Sequence, residues 1–231
     1  MKTAVILAGG LGSRLRPVTF EIPKILIPIK GITLLEHVIN KLKEAKVKTI
    51  FLSIGYMNEK IQDYVNSLNL DLDIHYIIEN EPLGTAGWIN LITNEQKEKY
   101  FSEKFIVLNG DNLFDLDWDK FEKNFKGTCT IALTSVSNVS EYGVAKLNDD
   151  KIEKFIEKPK KEDAPSNKIN SGYYIFSPKL FDLSFDKKKI MFETDVFPEL
   201  ASKGQLYCYC DNSKWFDTGT FERWEDVINN W

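Results

Sequence analysis

The residues best suited to chemistry begin close to the N-terminus. The run Leu7-Ala8-Gly9-Gly10-Leu11-Gly12-Ser13-Arg14-Leu15-Arg16-Pro17 places three glycines within four positions, straight after an apolar stretch. Such glycines let backbone N–H groups approach an oxyanion, and Arg14 and Arg16 add positive charge. The run lacks the terminal Lys-Ser or Lys-Thr of a P-loop. Leu15 stands where a dinucleotide fingerprint needs its third glycine, and no acid for a ribose closes the second strand signal, which ends in Gly55-Tyr56. Taken alone, the glycines fit a tight turn with a solvated arginine pair equally well. Lys24 lies between Pro23 and Pro28 among apolar neighbours, where two prolines stiffen the backbone and aim one ammonium at a set point; an ordinary surface lysine is the alternative. Asp111, in Leu108-Asn109-Gly110-Asp111-Asn112, and Asp217, in Trp215-Phe216-Asp217-Thr218-Gly219, are acids that follow strand signals. Each can give Mg²⁺ one oxygen while waters and phosphates complete the shell, or can simply cap a turn.

The elements that must position these residues alternate through the first half. Thr3 to Leu7, Thr49 to Ile54, Ile74 to Ile78 and Phe105 to Leu108 read as buried strands. Thr33 to Ala45 reads as a helix, with Thr33 and Glu36 as a capping box and Leu34, Leu35, Val38, Ile39, Leu42 and Ala45 on one stripe. Asn58 is the expected cap of a second helix with Ile61, Tyr64, Val65 and Leu68 inward, and a third helix is expected from about Thr85. Strands alternating with helices imply parallel β-α-β units, whose ligands sit beyond the carboxyl ends of the strands. The second half is richer in strand: Thr128 to Val136, Val144 to Leu147, Ile152 to Ile156, Asn170 to Phe176 and Gln205 to Cys210, with a turn at Asn148-Asp149-Asp150, a surface loop over residues 157–168 and a closing helix from Thr220. The expectation is one α/β domain over residues 1–231 with two sub-regions facing a shared cleft, dividing at about residues 127 and 128.

Composition narrows the function classes. The chain has 231 residues, 43% hydrophobic, with 30 basic and 34 acidic residues and a net charge of −4. A chain of this size buries roughly 70% of its extended surface. No overall basic field exists to hold a nucleic acid, although local cations can still bind phosphate. Apolar runs fall far short of the ~20 residues that cross a bilayer, and the N-terminus lacks the features of a signal peptide. Three cysteines, Cys129, Cys208 and Cys210, make a poor disulfide framework. A reduced, cytoplasmic protein is expected, with no nucleic-acid or membrane partner and with homo-oligomerisation left open.

Taken together, Gly-Gly-x-Gly-x-Arg, then Pro-Lys, Gly-Asp, Glu157-Lys158-Pro159 and Trp215-Phe216-Asp217-Thr218-Gly219 resemble the sugar nucleotidyltransferases, over nearly the full chain. Residues 79–87, 166–172 and 196–198 followed by 204–207 resemble the mannose-1-phosphate guanylyltransferase branch in particular. Gly110-Asp111-Asn112 and Asp217-Thr218-Gly219-Thr220 resemble thymidylyl- and uridylyltransferases equally well. The resemblance implies a Rossmann-like nucleotidyltransferase fold, a single mixed and mainly parallel sheet with helices on both faces. The C-terminal β-helix of many relatives is not expected, since the sequence stops at Trp231.

It also implies a reaction. A nucleoside triphosphate and a sugar 1-phosphate are joined with release of pyrophosphate, the protein's work being positioning and charge neutralisation. Leu7, Gly9, Gly10 and Gly12 would bind the nucleotide, Arg14 the leaving pyrophosphate, Lys24 the reacting phosphates and Lys158 the sugar phosphate; Asp111 and Asp217 would hold Mg²⁺. Glu79 and Gly84 fall in the base-contacting segment. One carboxylate can accept both the N1–H and N2–H₂ of guanine, whereas the single N–H of uracil or thymine between two carbonyls suits an amide better. Glu79 therefore leans towards GTP. Tyr142, Gly143, Glu157, Asn170 and Gly172 match positions that contact sugar hydroxyls. Three readings follow: GTP with mannose 1-phosphate or a related sugar, dTTP or UTP with glucose 1-phosphate, and a non-catalytic sugar-nucleotide sensor. His37 and His75 lie outside the motifs, and His37 is expected to be structural.

Overall fold

Short β-branched runs become strands and apolar stripes become helices across residues 1–231 of the computed structural model. The strands in chain order are β1 (Thr3–Leu7), β2 (Pro28–Ile29), β3 (Ile32–Thr33), β4 (Thr49–Ile54), β5 (Asp73–Ile78), β6 (Phe105–Asn109), β7 (Asn112–Phe114), β8 (Cys129–Ser135), β9 (Gly143–Asn148), β10 (Lys151–Glu157), β11 (Lys168–Phe176), β12 (Leu206–Cys210) and β13 (Trp215–Asp217). The helices are α1 (Leu34–Glu44), α2 (Asn58–Ser67), α3 (Asn94–Tyr100), α4 (Trp118–Lys123), α5 (Phe197–Ser202) and α6 (Phe221–Asn230). Two compact units interleave along the chain. The first comprises Met1–Pro82, Leu108–Asp115 and Lys214–Trp231, the second Leu83–Val107 and Leu116–Ser213.

In the first unit, β1 pairs in parallel with β4 from Thr3↔Thr49 to Leu7↔Ser53, and β4 with β5 from Thr49↔Asp73 to Ile54↔Ile78. Every residue of β4 is buried, the pattern of a parallel strand covered on both faces. Helix α1 forms where the stripe predicts. The Thr33 side chain accepts from Glu36 N, Glu36 returns a bond to Thr33 N, and Leu34, Leu35, Val38, Ile39 and Leu42 are buried. Asn58 is not the cap of α2. Met57 precedes the helix in left-handed conformation and Asn58 is the first helical residue; its Oδ1, the atom a cap would use, accepts from Gln62 Nε2 at 2.9 Å, and its Nδ2 donates to Gly55 O at 3.2 Å. Two short strands that periodicity does not reveal, β7 and β13, pair antiparallel, with Asp217 opposite Asn112.

The second unit is largely antiparallel. β8 pairs with β11, β10 with β12 and β9, and β9 also with β11; only β8 and β12 run parallel. Parallel pairing thus joins β1, β4 and β5, whereas the strands of the second unit pair mostly antiparallel, so the sheet is mixed but the expected mainly parallel character holds only for its first-unit strands. The expected turn joins β9 to β10, with Asp149 at φ 53°. A core of rings fills this unit: Phe192 stacks on Phe176 at 5.2 Å and on Phe197 at 5.5 Å, with Tyr174 at 5.6 Å. The helix expected from about Thr85 starts later. A 3-10 turn spans Gly87–Leu91, and α3 begins after Thr93, whose capping box with Gln96 sets the start. Trp88 and Trp118 are buried. His37 is structural as expected: Nε2 lies 2.9 Å from Ile29 O, and Nδ1 faces Trp231 Nε1 at 3.3 Å. No helix is long and apolar enough to cross a membrane.

The Thr33 cap fastens a helix with five buried residues, whereas α3 buries none. Thr33→Ala is expected to cost about 1 kcal/mol and lower Tm by roughly 2–4 °C, while Thr33→Ser stays within a few tenths of a kcal/mol of wild type. Thermal and urea unfolding measure this, and an unchanged Tm in Thr33→Ala removes the cap from the stability of α1.

Candidate functional site

The glycine run of the first unit is held at both ends. After β1, Ala8 N donates to Ser53 O at 2.8 Å, and Gly110 N donates to Leu7 O at 2.9 Å. The chain then turns at Gly12, with φ +60°, into a 3-10 turn over Ser13–Leu15 pinned by buried Leu15. A Cβ at Gly12 would stand 2.9 Å from Thr19 Cγ2 and 3.2 Å from Lys24 Cβ. Both the left-handed backbone and the close approach therefore require glycine here. Thr19 Oγ1 closes the turn by donating to Gly12 O at 2.9 Å. Nothing lies within 4 Å of the Cβ position at Gly10.

Lys24 starts a 3-10 turn whose Ile25 is buried, and its ammonium reaches Asp111 Oδ2 at 2.6 Å. Loss of solvation opposes the charge on Asp111, but the Lys24 ammonium, with help from Arg14, overcomes this and holds the carboxyl below its usual range. Asp217 is engaged in the same manner. Its Oδ2 accepts from Arg223 Nη1 at 2.6 Å and its Oδ1 from Gly219 N at 2.5 Å. Thr218 joins the two segments, its N and Oγ1 donating to Asp111 O at 3.1 and 2.8 Å. Arg14 lies close to both: it acts on the Asp111 charge, and its guanidinium passes 2.9 Å from the Cβ position of Gly219. At the end of β5, Glu79 N donates to Ile54 O at 2.8 Å, and Ser53 Oγ donates to Glu79 Oε1 at 2.6 Å. Leu7, Gly9, Gly10, Gly12, Arg14, Lys24, Glu79, Asp111 and Asp217 thus share the first unit.

Gly84, Tyr142, Gly143, Glu157, Lys158, Asn170 and Gly172 share the second. Lys158 has φ 47°, its N donates to Tyr142 O at 3.0 Å, and its ammonium lies 3.4 Å from Glu157 Oε1. Gly143 is demanded by space: a Cβ would meet Phe155 Cζ at 2.3 Å and Glu157 Oε2 at 2.9 Å. That Glu157 Oε2 is buried and has no hydrogen-bond partner. Asn170 is wedged by its own neighbours, Nδ2 donating to Tyr174 OH and Oδ1 accepting from Gly172 N, both at 2.9 Å. Thr85 Oγ1 accepts from Phe192 N and donates to Glu193 Oε2, each at 2.8 Å. Burial raises the Glu193 carboxyl above its usual range; the Thr85 bond resists this, and the negative Glu157 reinforces it.

Comparison with known proteins decides the family. The nucleotidyl transferase family matches residues 3–230. The chain belongs to that family. A mannose-1-phosphate guanyltransferase beta-A of Xenopus laevis is 36% identical over 223 residues, covering 94% of this chain and 61% of its own. The catalytic subunit beta of a mannose-1-phosphate guanylyltransferase from Danio rerio is 36% identical over 227 residues, again 94% and 61%. The chain therefore spans about three-fifths of the length of these curated relatives. HddC from Yersinia pseudotuberculosis, solved in complex with GMP-PN, is 34% identical with TM-score 0.82, covering 99% of each chain. The α/β nucleotidyltransferase fold follows from that likeness.

Sequence reasoning missed Ser53, Glu193 and Arg223. Ser53 looks like one more residue of an apolar strand. Glu193 lies just before the Val196-Phe197-Pro198 segment, and Arg223 is three residues past the cap of α6. A charged residue beside a family-like motif is the only available signal for the last two.

The Lys24 and Asp111 pair gives a direct test. Asp111, depressed in the fold, contributes stability above its unfolded pKa of ~3.9, and that contribution is lost as pH falls through the folded value. Lys24→Met should raise the Asp111 pKa and flatten the acid-side slope of stability. Carboxyl ¹³C NMR titration and urea unfolding against pH report both, and an unmoved Asp111 would show the ammonium is not what holds it ionised.

Proposed function

We propose that this chain joins a nucleoside triphosphate to a sugar 1-phosphate with release of pyrophosphate, using GTP and mannose 1-phosphate or a closely related sugar. The observation that carries the reaction class is the grouping of Lys24, Arg14 and Asp111 beside the glycine run. Backbone N–H groups and two cations at one place suit a polyphosphate. A sugar phosphate oxygen would attack the α-phosphorus, and the bond to the bridging oxygen of the β-phosphate would break, so that pyrophosphate leaves with its electron pair. No general base is required, because a phosphate monoester is mostly dianionic at pH 7. Lys24 and Arg14 would then neutralise charge on the transferring and leaving phosphates.

Guanine is favoured by Glu79, whose carboxylate is fixed at the carboxyl end of β5, where parallel sheets bind ligands. On the sugar side, the buried and unpartnered Glu157 Oε2 needs a donor, and a polyol hydroxyl supplies one. Lys158, next to it and largely exposed, would take the sugar phosphate. The relatives named for mannose 1-phosphate and guanylyl transfer support the same choice.

The family resemblance implies Mg²⁺, and the donor set fits it. Asp111 and Asp217 offer two hard carboxylates on segments joined through Thr218, which suits an ion that takes few carboxylates and fills its shell with water and phosphate. When bound, the ion supplies neutralisation of phosphate charge. The chain's own part is to hold both carboxylates in place, Asp111 through Lys24 and Asp217 through Arg223.

Pyrophosphate release over all triphosphates crossed with a panel of sugar 1-phosphates should be highest with GTP and mannose 1-phosphate. If dTTP or UTP with glucose 1-phosphate is at least tenfold better, the guanylyl assignment is wrong; if no pair turns over while sugar nucleotides bind, the sensor reading replaces it. Lys158→Ala should lose roughly a hundredfold through the sugar phosphate, the equivalent of one charge-assisted contact of about 2–3 kcal/mol. A rise in the apparent constant for GTP alone would contradict that role.

Activity should disappear with chelator and return with Mg²⁺. Asp111→Asn and Asp217→Asn should each cut turnover sharply without unfolding the chain. Near-normal turnover in both, with Mg²⁺ dependence unchanged, would remove the two-aspartate site.

A further inference from the structure

We propose that Ser53 sets base specificity by fixing which atoms of residue 79 face the base. This rests on the reading of Glu79 as the guanine-contacting group. Ser53 is fully buried in β4, between Leu7 of β1 and Ile77 of β5. Its carbonyl is already used by Ala8 N, and its hydroxyl lies 2.6 Å from Glu79 Oε1. A hydroxyl facing a carboxylate donates its single proton, so Oε1 is pinned towards the sheet.

The rest of Glu79 is equally confined. Its N is bonded to Ile54 O at 2.8 Å, and its Oε1 and Cδ lie 3.6 and 3.7 Å from the Cβ position of Gly9. The carboxylate therefore rests against the backbone of the glycine run, at the carboxyl ends of β1, β4 and β5. Three parallel strand ends meet there, and the plane of the carboxylate is set before any ligand arrives.

The consequence is a polarity lock. With Glu at position 79, whichever oxygen Ser53 takes, the group presented outward is an acceptor, complementary to the two adjacent donors of guanine. With Gln at that position, a serine that keeps donating as it does to Glu79 would take the amide oxygen and turn the –NH₂ outward, against the guanine donors and towards a base carbonyl such as those of uracil. Ser53 is thus a positioning residue for the base. The sign of the lock depends on residue 79, and its rigidity depends on residue 53.

The test is equilibrium binding of GTP, ITP and UTP by calorimetry, with Mg²⁺ and without sugar phosphate, to wild type, Ser53→Ala, Glu79→Gln and the double variant. ITP lacks the guanine N2 amine and so reads half of the paired contact. Ser53→Ala should weaken GTP about tenfold and narrow the GTP to ITP ratio. Glu79→Gln should weaken GTP more and strengthen UTP. The double variant should bind GTP better than Glu79→Gln alone, because the freed amide can turn its oxygen to guanine.

A Ser53 that merely supports the fold would make the double variant worse than either single one, and that result overturns the proposal, as does a Ser53→Ala within twofold of wild type for GTP. Should Ser53→Ala fail to fold, Ser53→Cys keeps nearly the same volume with a weak donor and is held to the same criteria. Wild-type binding of UTP as tight as that of GTP would defeat the guanine reading itself, and the lock with it.

Discussion

The ion pair of Lys24 with Asp111 is the contact around which the first unit is organised. Positive charge gathered in one place is unstable while unbalanced. Here Lys24 meets Asp111 and Arg223 meets Asp217, each at 2.6 Å. Both pairs are half-buried, so breaking either would leave a charge without a partner in a medium that screens it less than water. The local backbone serves this balance. Gly12 lets the turn close against Lys24 Cβ, Ile25 anchors the turn that carries the lysine, and Thr218 fastens the segments of the two aspartates.

The second unit solves a different problem. Glu157 and Glu193 bring two carboxyls into a region built of aromatic rings, and Lys158 is the nearby cation that favours the charge on Glu193. Burial makes a second negative charge costly, so Glu193 is shifted towards its neutral form. Asn170 is fixed in orientation between Tyr174 and Gly172.

The proposed reading of a base by Glu79 would turn on a small difference. An amide and a carboxylate at position 79 differ by one proton-bearing group, yet they would invert the pattern offered to a base. Rigid placement would convert that difference into selectivity, since a side chain free to rotate would satisfy either partner. A buried hydroxyl at the end of a central strand is suited to provide it: the strand is already fixed by its neighbours on both sides.

Much of this is legible in the amino-acid sequence. The strand at residues 3–7, the capping box at Thr33 and Glu36, and the turn at residues 148–150 follow from local rules, because a cap, a period of 3.6 or a β-branched run is complete within a few residues. The chemistry-bearing motifs are legible too, since glycine runs and charges beside prolines are local patterns. What the chain does with them is not. Asn58 is no cap because it lies inside the helix with its Oδ1 taken by Gln62, and the helix expected from Thr85 begins later, that hydroxyl being taken by Phe192 and Glu193, over a hundred positions away in sequence. The pairing of β7 with β13, the partners of Asp111 and Asp217, and the donation from Ser53 to Glu79 all join distant segments. Residue types and spacing determined which groups were available and what chemistry they suit. Only tertiary structure decided which charges neutralise one another and which oxygen points where, because those depend on distances between segments that no local pattern encodes.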